Sequence, residues 1–185
     1  MTEAHAIKLC LLHRDPAGFD FLVRQYRREA YFHALGFMGN PADAADVCQE
    51  AFTRAFRSLP RLQSLDRFYP WFYRILRNYC FNVLARKKTA RTSEEAIGIE
   101  ITANAPETDV SILSERSEDA GKVWSILEGL SPEFREILLL KYRDECSYEE
   151  ISSRIGIPRG TVMSRLYYAR NAFKEAWLCL EAGQG

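Results

Sequence analysis

Three histidines, His5, His13 and His33, are the first residues to test for acid–base or metal chemistry, and their spacing supports neither. No serine elbow, Gly-rich phosphate loop or HExxH accompanies them. The five cysteines (Cys10, Cys48, Cys80, Cys146 and Cys179) are scattered and odd in number. Without a CxxC or a Cys/His pairing, neither a zinc site nor a disulfide framework is expected. Asp46 and Glu50, at i and i+4, are the pair nearest to an acid/base dyad. They sit beside Arg54 on a helix face read as exposed, and like charges at this spacing repel by a few tenths of a kcal/mol. That leaves a solvated face or a docking face for a basic partner. No catalytic residue, metal or cofactor is expected, so the chain reads as a non-enzyme.

Two other groups of residues suit nucleic acid. Arg74, Asn78 and Asn82 follow at i, i+4 and i+8, projecting as one polar row. Just before them, Phe68, Tyr69 and Trp71 stand among Arg61, Arg67 and Arg74, combining stacking surfaces with phosphate partners. Such a mixture fits unpaired bases; the competing reading has the aromatics in a core and the asparagines merely exposed. Near the C-terminus, Arg159, Thr161, Ser164, Arg165, Tyr168 and Arg170 decorate a helix that keeps Val162, Leu166, Ala169 and Phe173 for packing. Arginine can pair bidentately with guanine, and hydroxyl side chains can hold phosphates. From 151 to 174 there are five basic residues and no acidic one.

The elements that carry these groups are helical. A formal net charge of zero hides a partition: 1–90 holds 14 Lys/Arg against 8 Asp/Glu, and 91–119 holds 2 against 8. Residues 120–185 balance at 9 against 9. Between 89 and about 117 the composition turns to Thr, Ser, Glu, Ala and Asn with Pro106, and helical periodicity fades. The expectation is an all-α chain: a first helical domain over 1–88, a flexible acidic linker over 89–118, and a second over 119–185. No stretch alternates like a strand, and no repeat is visible. Helices are expected over 17–37 (opened by Asp15-Pro16), 41–59 and, after a loop at 60–69, 70–86. The third would bury Phe72, Ile75, Leu76, Tyr79, Cys80 and Val83, point Phe81 away from them, and close on the basic run 86–88. The second domain reads as four helices. Ser147-Tyr148-Glu149-Glu150 has capping-box spacing, Gly156 ends that short helix, and Pro158 restarts the chain toward 179. A short helix, a tight turn and a basic helix make a helix-turn-helix. Nothing near Met1 reads as a signal peptide and no apolar run approaches a membrane span, so the cytoplasm is the expected location.

With these motifs in hand, the chain resembles the extracytoplasmic-function (ECF) sigma factors of bacterial RNA polymerase. Residues 46–57 (DVCQEAFTRAFR) are similar to that family's polymerase-binding motif, and 68–78 (FYPWFYRILRN) to its −10 region. Residues 130–138 (LSPEFREIL) together with 147–170 resemble its −35 domain. The resemblance covers 19–88 and 120–174. It implies that Asp46, Gln49, Glu50, Phe52 and Arg54 dock on the β′ clamp helices of the core polymerase, with further contact to the β subunit. It implies that the loop 61–69 captures a flipped base of the opened −10 element and that Asn78 and Asn82 read bases there. Arg159, Thr161, Ser164, Arg165 and Arg170 would lie over the −35 duplex, and the acidic linker would thread the polymerase near the RNA exit path. Promoter DNA and an anti-sigma protein are the other implied partners, with no membrane insertion. Departures at Leu62 and Met163 bear on which promoter is read. A conventional regulator that binds duplex DNA through 134–174 alone is the rival, and it leaves the 46–57 face and the aromatic loop without a purpose.

Overall fold

The computed structural model describes residues 1–64, 67–96 and 118–182, and side chains are described up to 90 and again from 121. The described residues are helices and short connections, with no strand among them. The chain divides into two compact units, 1–103 and 104–185. Most of the linker expected at 89–118, with its flexibility and its path, lies outside the described residues.

The first unit holds α1 (Glu3–His13), α2 (Pro16–Met38), α3 (Pro41–Ser58) and α4 (Phe68–Ala96), with a 3₁₀ turn at Leu59–Arg61. Local caps explain three of the starts. Thr2, Asp15 and Asn40 each accept a bond from a backbone N–H of the first turn, and proline follows at Pro16 and Pro41, where its missing N–H costs nothing. The α3 stripe is as its spacing predicts: Ala44, Val47, Cys48, Ala51, Phe52 and Ala55 are buried. Buried with it are Phe19 and Leu22 of α2 and Phe68, Phe72, Tyr73 and Leu76 of α4. Phe52 stacks on Phe72 at 4.3 Å, and Phe19 meets Phe52 edge-on at 6.4 Å. Helix α1 has no strong apolar stripe and buries only Ala6 and Ile7. It lies close against α2 because Gly18 has no side chain: a Cβ there would stand 2.2 Å from the Ala6 carbonyl oxygen.

Helix α4 departs from the sequence reading at both ends. It begins at Phe68, two residues before Pro70, and it runs past the basic triplet to Ala96. Lys87 therefore does not close the helix; its ammonium donates to Asp43 Oδ2 in the first turn of α3. Phe81, expected to point away, is half-buried, meeting Phe37 edge-on at 5.4 Å while Arg77 covers its ring at 4.5 Å. The flank of a helix packed on two neighbours is wider than a single stripe, which is why the wheel misplaces it.

The Asp43–Lys87 pair sets a pH dependence. Partial burial alone would raise the Asp43 pKa, but hydrogen bonds from Lys87 and Asn40 more than offset it, and the carboxyl titrates below its ordinary value. A folded-state pKa below the unfolded one stabilises at neutral pH, and the contribution is lost as pH falls through the folded value. Both partners are substantially exposed, with Lys87 at 50% and Asp43 at 29%, so screening keeps the contribution small. Lys87→Met is expected to cost under ~1 kcal/mol at pH 7 and nothing near pH 2, as read from urea midpoints. An equal penalty at both pH values would sink this account.

The second unit holds α5 (Glu118–Gly129), α6 (Pro132–Leu138), a π turn at Leu139–Arg143, α7 (Tyr148–Ile155) and α8 (Arg159–Ala182). Its core is Ile137 and Leu140 beneath Ile151, Val162, Leu166 and Ala169. Arg135 is buried, and its guanidinium donates to the carbonyls of Leu127 (2.7 Å) and Glu128 (2.6 Å), closing the C-terminus of α5. Burial draws its pKa down, yet the carbonyl ligands and the helix dipole suit a cation.

Candidate nucleic-acid interface

In the first unit, α3 presents Asp46, Gln49 and Arg54 as exposed residues and Glu50 as half-exposed. Asp46 has no ion-pair partner among the described residues. Glu50 accepts from Arg54 Nε at 2.7 Å, and the same guanidinium lies over the Tyr79 ring of α4 at 4.1 Å. Arg54 thus neutralises one of two adjacent acids and leaves the other available. Phe52 corrects an expectation: it is 7% exposed and belongs to the ring stack, not to the face. Beside this face a groove of about 820 Å³ opens between α2 and α3. Phe19, Val23, Tyr31 and the half-exposed Phe56 line it, together with Arg27 and Arg28.

Helix α4 carries the polar row. Steps of about 100° per residue place Trp71, Arg74, Asn78 and Asn82 within one flank. Arg74, Asn78 and Asn82 are exposed and Trp71 is half-buried, while Phe72, Tyr73, Leu76 and Cys80 fill the opposite side. The two asparagine amides are not engaged by other described side chains. Arg61 and Arg67 are exposed just before the helix. Phe68 and Tyr69 are not in the loop: they form the first turn of α4 and are 0% and 6% exposed. Tyr26 stacks on both rings, at 5.7 Å and 4.8 Å. For these two the core reading wins, and of the three aromatics only Trp71 is left with surface for a base.

In the second unit the helix-turn-helix is built by local chemistry. Ser147 and Glu150 form a reciprocal capping box, whose bonds to Ser147 hold the Glu150 carboxyl below its ordinary pKa. Gly156 ends α7 at φ 73°, a conformation that favours glycine, and the Ser152 hydroxyl donates to the Ile157 carbonyl at 2.6 Å across the turn. On α8, Val162, Leu166 and Ala169 are buried, while Ser164 and Tyr168 face outward and Thr161 is half-exposed. Arg159 is exposed and paired with Glu149 of α7 at 3.1 Å.

Arg165 and Arg170 stand about 140° apart around the helix. Arg165 is half-buried, and its Nη1 is shielded without a hydrogen-bond partner. A shielded donor left unpaired is costly. Arg170 is exposed but turned elsewhere. Its guanidinium lies over Tyr142 at 5.6 Å and is held by Tyr142 and Tyr148, on the flank away from Arg165. There it helps line an apolar cleft of about 530 Å³ with Val123, Leu127, Leu139 and Phe173. Sequence reasoning passed over Tyr167 and Asn171, both exposed on the outward face of α8; carrying the helical wheel past 170 would have found Asn171.

No helix among the described residues is long and apolar enough to cross a membrane. Residues 22–90 match the Sigma-70 region 2 family, and 120–173 match Sigma-70, region 4. The chain is 31% identical over 170 residues to the RNA polymerase sigma-H factor of Pseudomonas aeruginosa, with 88% of this chain and 87% of that protein covered. It is also 31% identical over 166 residues to the ECF RNA polymerase sigma-E factor of Escherichia coli K12, at 85% of each. Among solved structures, the sigma factor RpoE of Bartonella quintana, in complex with the anti-sigma factor NepR, shares the fold with a TM-score of 0.66 and 23% identity, over 85% of this chain and 95% of that one. With both sigma domains matched in order along an all-helical chain, this protein belongs to the ECF family of RNA polymerase sigma factors.

Proposed function

We propose that this sigma factor docks on core RNA polymerase through the exposed arc of α3 (Asp46, Gln49, Glu50 and Arg54) and reads the opened −10 strand along the flank of α4. In this reading Arg61, Arg67, Trp71 and Arg74 hold the single strand, and Asn78 and Asn82 read its bases. The observation that carries the assignment is the division of α4: a packed side, and opposite it two exposed amides, Asn78 and Asn82, that no other described side chain engages. Duplex of the −35 element lies on α8 against Arg159, Thr161, Ser164, Arg165 and Tyr168. A protein inhibitor is the remaining partner, since the solved sigma factor RpoE of similar fold is in complex with an anti-sigma factor and each unit offers an apolar cleft. The deciding experiment is run-off transcription by core polymerase with and without the chain, on templates selected by the holoenzyme. Transcripts that start at one position only when the chain is present support the reading; no difference removes it.

Arg165→Ala is expected to weaken −35 duplex binding by ~1–3 kcal/mol, with specificity relaxed at one base pair. A uniform loss with the salt slope reduced by about one would assign it to phosphate. Wild-type affinity and salt dependence would show that α8 turns another face to DNA.

A further inference from the structure

The first turn of α4 contains no acidic residue, and Pro70 contributes no N–H. A carboxylate reaches it from 65 residues away in sequence: the Phe68 N–H donates to Glu3 Oε1 of α1 at 3.1 Å. The other carboxylate oxygen accepts from the Tyr26 hydroxyl of α2. Burial, followed by this bond to the carboxylate, pushes the Tyr26 phenol pKa well up, so it stays a donor. The Tyr26 ring also covers Phe68 and Tyr69, with interplanar angles of 27° and 28°. One carboxylate therefore joins three helices at the point where the chain leaves the basic loop and enters the reading helix.

We propose that Glu3 is a positioning residue for −10 recognition: it holds the first turn of α4, and so Arg67 and Trp71 on either side of the bonded amide, in place to receive an unpaired base. This rests on the −10 reading above. Beyond the first turn, Phe72, Tyr73, Leu76 and Cys80 anchor α4 in the core. Losing the tie therefore loosens the entrance of the helix and leaves Asn78 and Asn82 where they are. Glutamine can keep both bonds, its carbonyl accepting from Phe68 and its amide donating to the Tyr26 oxygen; alanine keeps neither.

The test uses holoenzyme assembled from core polymerase and the full chain. A single-stranded DNA is selected from a random pool by the wild-type holoenzyme, and affinities for all its single-base variants are measured. Glu3→Ala is expected to lose roughly tenfold discrimination, the magnitude of one charged hydrogen bond, at the positions that Trp71→Ala also affects. Discrimination at the positions sensitive to Asn78→Ala should persist, and core polymerase affinity should be unchanged. Glu3→Gln should keep the wild-type profile, while Tyr26→Phe, which spares the ring stack, should show a smaller loss at the same positions. A wild-type profile in Glu3→Ala overturns the proposal. So does a loss spread over every position with weakened core binding, which marks general damage to the fold. A wild-type holoenzyme that selects no single strand would instead overturn the −10 reading itself.

Discussion

Glu50→Lys, alone or with Asp46→Lys, will abolish binding to core RNA polymerase while leaving the helical content unchanged. The argument is one of two unequal costs. Within the protein, Glu50 has a single ion pair, to Arg54 at 2.7 Å, and both side chains are more than a third exposed. Such a pair contributes about 0.2–1 kcal/mol, and a lysine in its place adds a like-charge repulsion of a few tenths. Arg54 retains its seat on the Tyr79 ring at 4.1 Å. Against a basic partner the same change turns attraction into repulsion. Truncating one member of a buried interfacial pair costs about 2–5 kcal/mol, and reversing a charge costs more. Pull-down with core polymerase and far-ultraviolet circular dichroism separate the two effects. Unaltered affinity would remove α3 as the docking face.

Asn78→Ala with Asn82→Ala is the second large effect, and it distinguishes promoter opening from duplex binding. Both amides are exposed, and no other described side chain engages them, so the stability change should stay within about 0.5 kcal/mol. Their groups can pair with base edges, where a good bidentate contact discriminates by about 1–3 kcal/mol. Exposed Arg74 on the same flank supplies a phosphate partner, and Trp71 a stacking surface. The double variant should keep core polymerase and −35 duplex binding, lose discrimination among single-stranded −10 oligonucleotides, and fail to open promoters in a permanganate footprint. Wild-type opening by the variant would mean that this flank does not read bases.

The polar assignments and the aromatic ones fared differently, for a physical reason. Asn78, Asn82, Ser164 and Tyr168 could be placed on outward faces because a helix imposes its period regardless of what packs on it. Phe68 and Tyr69 could not, since an aromatic beside arginines suits a base or a core equally well. What decides between them is whether another part of the chain arrives to cover the rings, and here Tyr26 of α2 does. Phe52 followed the same rule: it shares a turn with the exposed face, yet Phe72 stacks on it at 4.3 Å. Arg170 was read from its charge, but its orientation is set by two tyrosines, Tyr142 and Tyr148, that precede it by at least 22 positions.

By itself the sequence determined the all-helical class, the two-unit division, and the limits of α2, α3, α7 and the start of α8. Those limits rest on caps whose donors and acceptors lie within three residues of each other: Asp15 with Ala17, Asn40 with Asp43, Ser147 with Glu150. Only the tertiary structure decided the rest. Helix α1 has little apolar stripe of its own and is held by the close approach at Gly18 and by Glu3. At the start of α4 the Phe68 N–H donates to that same distant carboxylate. Lys87 meets Asp43, 44 residues away, because α4 lies beside α3. Short-range hydrogen bonds are written into neighbouring residue types, whereas a bond between distant residues exists only once packing has brought its partners together.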